Sequence, residues 1–182
     1  LGTLSMTTLI APPYRNEAYD LGPVAGGLLR LEPMTADTAT LIGNALATFG
    51  PWRHYATPAA DLLANLAATH GGTARYAALL DGVLAGAIVV RSPWLIGPYL
   101  QLLAVLPEFQ GRKIGDRLLG WFEDVARQDG ARQVWLCVTG VNTGAQRFYR
   151  AHGWQEAARL SDLIADGEDE ILLRKWLIPR PA

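Results

Sequence analysis

The chain has 182 residues, half of them hydrophobic and 18% charged, with a formal net charge of −1. That length and composition predict one domain around one core and exclude a disordered chain. Near-neutral charge argues against a nucleic-acid partner held through phosphates, and no apolar run approaches the roughly 20 residues of a membrane helix, so neither partner is expected.

Residues 1–27 read as an irregular lead-in, rich in Pro and Gly from 11 to 27, and 28–182 as a single domain. Leu1 to Ser5 precede the first methionine, Met6, and are set apart from the fold. Leu1 to Ile10 hold no Lys or Arg ahead of an apolar stretch, so no secretory signal is expected. Leu28-Leu29-Arg30-Leu31-Glu32-Pro33 predicts a short strand. Thr35 or Asp37 suits the cap of a helix running to about Phe49 and ended by Gly50-Pro51. Pro58 to Thr69 predicts a second helix, closed by Gly71-Gly72. Arg75 to Leu80 and Val83 to Arg91 flank Asp81-Gly82, a pair suited to a two-residue hairpin turn at positive φ, and Ser92-Pro93 stops the second strand.

Pro98 to Leu106 is an apolar strand stopped by Pro107. From Arg112 to Gln128, Ile114, Leu118, Trp121 or Phe122, and Val125 fall at helical spacing, with Gly130 as terminator. Gln133 to Thr139 reads as a buried strand. Asn142 to His152 reads as a helix with Ala145, Phe148, Tyr149 and His152 on one face and Gly153 at its end. Leu160 to Ile164 and Glu170 to Leu177 pair around Asp166-Gly167. The order β-α-α-β-β-β-α-β-α-β-β predicts an α/β domain, a mixed sheet with helices on it and no regular alternation.

Chemistry concentrates in Leu100 to Asp116. A strand ends at Pro107, a loop follows, and a helix opens near Arg112. The free N–H groups and positive dipole end of such a helix favour an anion. Gly111 and Gly115 permit close backbone approach, and Arg112 and Lys113 add positive charge. A pyrophosphate fits, and so does a plain turn whose glycines serve packing.

The segment resembles the acyl-CoA-binding motif of the GNAT superfamily of N-acyltransferases, Gln/Arg-x-x-Gly-x-Gly/Ala after a strand ending Ala-Val-x-Pro. Ala104-Val105-Leu106-Pro107, Gln110 and Gly115 match, while Lys113 stands where the family usually has its first Gly. A second signature, Asn-x-x-Ala-x-x-Phe/Leu-Tyr-x-x-x-Gly-Phe/Trp, is matched by Asn142 to Trp154. The resemblance spans roughly Leu28 to Trp176. It implies a mostly antiparallel central sheet with flanking helices, two central strands splaying apart, and acyl-CoA in the gap. It also implies that the backbone of Leu103, Ala104 and Val105 bonds the pantetheine arm like an added strand. The N–H groups of Gln110, Gly111, Arg112, Lys113, Gly115 and Asp116 would cradle the pyrophosphate. Asn142 would touch pantetheine, and Tyr149 would face the thioester sulfur.

The activity implied is acetyl transfer from acetyl-CoA to a primary amine by direct attack, with no metal. A backbone N–H near Val105 would polarise the carbonyl and Tyr149 would protonate the leaving thiolate. Tyr149 also reads simply as a core aromatic. The positions where some family members carry a glutamate base hold Tyr99 and Cys137 here, neither a good base near neutrality. Cys137, the single cysteine, reads as a buried structural thiol; one cysteine suits a reducing compartment, and a cytoplasmic location is expected. His54, His70 and His152 lack metal-ligand spacing.

Pro51 to Tyr55 lies where similar proteins line the acceptor pocket, or it is a loop packed by its own aromatics. Asp162, Asp166, Glu168, Asp169 and Glu170 read as a solvated turn or as a field favouring a cationic acceptor. Trp94, if exposed, fits a homodimer surface. The rival readings are a catalytically silent acyl-CoA-binding sensor and a structural protein that keeps only the fold.

Overall fold

A computed structural model of the chain describes residues 13–68 and 71–178. Eight strands form one sheet: β1 (Tyr19–Val24), β2 (Gly27–Pro33), β3 (Thr73–Leu80), β4 (Val83–Arg91), β5 (Tyr99–Val105), β6 (Gln133–Thr139), β7 (Gln155–Ala165) and β8 (Glu168–Trp176). They lie in the order β1-β2-β3-β4-β5-β6-β8-β7. Every neighbouring pair is antiparallel except β5 with β6. The helices are α1 (Ala36–Leu46), α2 (Gly50–His54), α3 (Ala59–Ala67), α4 (Ile114–Gln128) and α5 (Thr143–Ala151). The mixed, mostly antiparallel sheet with flanking helices is therefore present.

Its two faces carry two cores. On one face α4 places Ile114, Leu118, Leu119 and Phe122 against Leu31, Ile88, Leu136 and Leu173. Full burial of each such side chain contributes about 1.5–3 kcal/mol. On the other face α1 and α3 cover only the first half of the sheet, packing Ile42, Leu46 and Leu62 against Ala87, Val89 and Ala104. The second half of that face, over β6 and β8, is not covered by α1 or α3.

Local chemistry sets several boundaries as expected. Thr35 caps α1, its Oγ1 accepting from Thr38 N–H at 3.2 Å. Asp81 and Gly82 turn at φ 48° and 81°, and the Asp81 carboxylate accepts from Leu28 N–H at 2.9 Å. Four readings need correction. The lead-in is not irregular from 19 onward: Tyr19–Val24 pairs with β2, its pattern hidden by a bulge at which Gly22 takes φ 78°. Tyr14 is also core, donating its hydroxyl to Phe122 O at 2.7 Å.

Gly50-Pro51 does not merely end α1, which stops at Leu46; it starts the separate turn α2, where Pro is tolerated in the first turn. β7 is longer than Leu160 to Ile164, because a mostly exposed edge strand shows no apolar alternation. Trp94 is half-buried, stacked on Tyr99 at 4.6 Å and tilted against Trp135 at 5.9 Å. Thr69, the expected end of the second helix, and His70 lie outside the described residues.

Candidate active site

The site begins with a break in the sheet. β5 and β6 pair at only two positions, Tyr99 with Trp135 and Leu100 with Leu136. Beyond them β5 stays on β4 as far as Val105, while β6 stays on β8 as far as Thr139. The strands separate, and the gap continues into a cleft of about 410 Å³. Its walls include Leu103, Ala104 and Val105 of β5, Asn142 and Tyr149 at α5, and Phe49 to Trp52.

Backbone direction on β5 follows from one bond. Leu106 N–H donates to Ala85 O at 2.9 Å, so Leu106 faces β4. Peptide groups alternate along a strand. Ala104 therefore also faces β4, and a Cβ on Gly86 would collide with its carbonyl oxygen. Leu103 and Val105 turn their N–H and C=O toward the cleft. Of those four groups, Val105 O already accepts from Gln110 Nε2 at 3.1 Å. Ala104 thus lines the cleft but is not one of the groups its edge offers.

The loop after Pro107 aims α4 at the same cleft. Gly111 takes φ 77° and Lys113 φ 66°, so Lys113 holds a left-handed conformation where a glycine is usual. The strain fits the site, since a residue in that conformation re-aims the chain into the helix. No side chain caps α4, and the N–H groups of Ile114, Gly115 and Asp116 meet no acceptor among the described residues. This is the bare, positive helix end that attracts an anion. Gly115 faces Phe148 and Val105; a Cβ there would lie 3.5 Å from Phe148 Cζ, an ordinary contact.

The charged side chains do less than expected. The Arg112 guanidinium donates to Glu108 O at 3.2 Å and sits over Phe109. Lys113 is 78% exposed, with Nζ 3.8 Å from Asp116 Oδ1. Asp116 also meets His152 Nε2 at 3.0 Å. Lys113 and Asp116 border a second groove, about 820 Å³, between β1 and α4. Gly111 and Arg112 line neither hollow.

On α5, the Asn142 side-chain oxygen accepts from Ala145 N–H at 3.1 Å, which leaves its amide N–H₂ as the available group. About two turns further on, Tyr149 lines the cleft while only 8% exposed. Its ring meets Phe148 and Trp154, its hydroxyl has no partner among the described residues, and burial pushes its pKa well up. The phenol stays protonated throughout any working range.

The uncovered half of the other face gathers polar side chains from α2, β6 and β8. Tyr55, at the end of α2, lays its hydroxyl 2.8 Å from Thr139 Oγ1 and 3.3 Å from Glu168 Oε2. His54 Nε2 is 3.1 Å from Glu168 Oε1. Cys137 is half-buried rather than sealed in a core, because on β6 it points away from Leu136 and Val138; burial pushes its thiol up. Tyr99 is also pushed up by burial, so neither offers a base. The acidic hairpin divides. Asp169 pairs with Arg159 at 3.6 Å, and Asp162 accepts from Gly167 N–H, so both serve the hairpin itself. Glu168 and Glu170 face the site. Singling out these two from five carboxylates was beyond the sequence, which shows no register.

Among the described residues no three His, Cys, Asp or Glu side chains group as metal ligands, and no helix is long and apolar enough to cross a membrane.

Residues 41–154 match the model of the acetyltransferase (GNAT) family. The chain is 40% identical over 98 residues to the streptothricin acetyltransferase of Streptomyces lavendulae, covering 51% of this chain and 52% of that one. It is 41% identical over 58 residues to the aminoalkylphosphonate N-acetyltransferase of Salmonella typhimurium, covering 32% and 38%. It thus spans about half the length, or less, of these curated relatives. An aminoglycoside 6'-N-acetyltransferase solved with coenzyme A shares the fold at 18% identity, with a TM-score of 0.64 over 84% of this chain and 99% of that one. A family match over more than half of the chain, on a sheet opened between β5 and β6, shows that this protein belongs to the GNAT acetyltransferase family.

Proposed function

We propose that the protein transfers an acetyl group from acetyl-CoA to a primary amine by direct attack. The observation that carries this reading is the two-residue contact between β5 and β6 followed by separation. It leaves the N–H and C=O of Leu103 and the N–H of Val105 free in a cleft that also receives the bare end of α4. A pantetheine arm carries amides that can pair with such an edge as an added strand would. The pyrophosphate would lie on the N–H groups of Ile114, Gly115 and Asp116, with Lys113 beside it as a screened surface charge. Asn142 would donate its amide N–H₂ to the pantetheine.

In this geometry the amine nitrogen attacks the thioester carbon. Val105 N–H stabilises the developing oxyanion. As the C–S bond breaks, Tyr149 gives its proton to the sulfur, and solvent restores it. The phenol's raised pKa keeps that proton available. The alternative, a catalytically silent acyl-CoA-binding sensor, is separated from this reading by turnover. The lone thiol, Cys137, suits a reducing compartment, and the cytoplasm is the location proposed.

The test is release of free thiol from acetyl-CoA in the presence of streptothricin, an aminoalkylphosphonate, an aminoglycoside, a polyamine and a peptide N-terminus. Turnover with any of them is expected. CoA binding without turnover on any amine would favour the sensor, and failure to bind CoA would favour a purely structural role.

A further inference from the structure

Two carboxylates are buried among the described residues. Glu123 holds Trp154 Nε1 and Lys175 Nζ. Glu170 is 8% exposed and has no hydrogen bond or ion pair to any described residue. Its oxygens are not sealed from solvent, so a carboxylate this little exposed and without a protein partner is open to whatever enters beside it.

Register places it. Glu170 lies opposite Thr139 on β6 and opposite Leu160 on β7. Its neighbour Ile171 packs into the core beneath α4 and α5, so alternation turns Glu170 to the opposite face, with Cys137 and Thr139. The titratable groups around it come from every element packed there: Tyr55 and His54 from the end of α2, Tyr99 from β5, Cys137 from β6 and Glu168 from β8. Its charge is felt by Tyr55, Tyr99 and Cys137 together. β7 contributes only the apolar Leu160. Thr139 lies beyond the last β5–β6 pairing, so Glu170 stands along the part of β6 that has separated from β5.

We propose that Glu170 binds the acceptor's ammonium group and takes its proton, directly or through one water, before the nitrogen attacks the thioester. The proposal rests on the acetyl-transfer reading above. One N–H bond of the ammonium breaks, its proton passes to the carboxylate, and the freed lone pair forms the C–N bond as the C–S bond breaks. The nitrogen gives its second proton to solvent as the intermediate collapses, balancing the one that Tyr149 gives to sulfur and recovers from solvent. Glu170 then returns its proton to solvent. Other candidates fall away on chemistry: Tyr99 and Cys137 remain protonated, and Glu168 is already engaged by His54 and Tyr55. Burial raises the Glu170 carboxyl above its ordinary value, which brings it nearer to the working pH of a base.

The test compares wild type, Glu170→Gln and Glu170→Asp, using the best acceptor of the panel and, separately, hydroxylamine, whose nitrogen is already neutral near pH 7. With the alkylamine, Glu170→Gln should lower kcat/KM roughly a hundredfold and abolish the rise of rate with pH that ionisation of Glu170 produces. Glu170→Asp should recover part of the loss. With hydroxylamine the Gln variant should lose much less. CoA affinity should not change.

The melting temperature at neutral pH should hold or rise. A group whose folded pKa is raised stabilises fully below its unfolded value and loses that contribution as pH rises through the folded one, so the ionised form is the costly one. A Gln variant within threefold of wild type on the alkylamine, or one impaired equally with both nucleophiles, overturns the proposal. Either result leaves acetyl transfer standing. Wild type that binds CoA and acetylates no amine overturns both.

Discussion

The two sides of the cleft are built differently. The side proposed for the donor is made of backbone: the edge of β5, the loop from Pro107 to Lys113 and the uncapped start of α4 follow one another within about 20 residues. The side proposed for the acceptor is made of side chains from distant elements: Tyr55 reaches Thr139 and Glu168, 84 and 113 residues away. A backbone site requires glycine, proline and helix-start residues at fixed spacing, and that spacing is visible as a motif. A side-chain site requires only that strands in the right register bring the groups together, which leaves no local pattern. The donor half therefore states a family, while the acceptor half holds whatever is particular to this protein.

The comparison is sharpened most by Tyr149, which stands between the two halves. Tyr149→Phe keeps the ring packed on Phe148 and Trp154 and removes one proton. We expect kcat to fall about a hundredfold, the lower end of general acid catalysis because thiolates leave well, with CoA affinity and melting temperature unchanged. Since burial keeps the phenol protonated, the defect should be flat across the neutral pH range. A wild-type kcat would make Tyr149 a packing residue.

A second test attacks the backbone side. Gly115→Ala should bind CoA nearly as wild type does, because a Cβ meets Phe148 at 3.5 Å without strain. Gly115→Val adds two methyl groups at the cleft and should weaken CoA binding about tenfold to a hundredfold, the 1–3 kcal/mol of an overfilled site. Calorimetric titration reads both. Normal binding by the Val variant would mean that the pyrophosphate lies elsewhere.

Smaller effects test the charges on each side. If Glu168 and Glu170 attract a cationic acceptor, its KM should rise a few-fold between low and physiological salt, while that of acetyl-CoA, held mostly by backbone, changes less. Equal sensitivity would break the contrast. Smallest of all should be Lys113→Gly. Glycine takes φ 66° at no steric cost but loosens the unfolded chain, and these terms oppose each other within about 1 kcal/mol. CoA affinity should stay within a few-fold, because Lys113 is an exposed charge beside N–H groups that remain in place. A larger loss would make the lysine, not the helix end, the anion's main contact.

Much of the fold was legible because its signals are local. Asp81-Gly82 specifies its hairpin, Thr35 its cap, Pro107 the end of β5, and Ile114 to Val125 the buried stripe of α4. β1 and the full length of β7 were not, because a bulge at Gly22 and an exposed edge erase the alternation that marks a strand. Gly50-Pro51 was read as a stop, and the same residues also start a helix.

The sequence by itself carried the family and the strand–loop–helix unit that borders the cleft, through two motifs whose residues shape backbone within single units, and it named Tyr149 as a candidate acid. Only the tertiary structure decided that the backbone groups of Leu103 and Val105, not Ala104, face the opening, that Arg112 turns to Glu108, and that Trp94 is half-buried against Tyr99 and Trp135. It alone separated Glu170 from four other carboxylates of its hairpin. The reason is physical: pairing register and the side of a sheet on which a residue emerges are properties of two strands at once, and Glu170 acquires its burial and its neighbours only when β8 aligns it with Thr139.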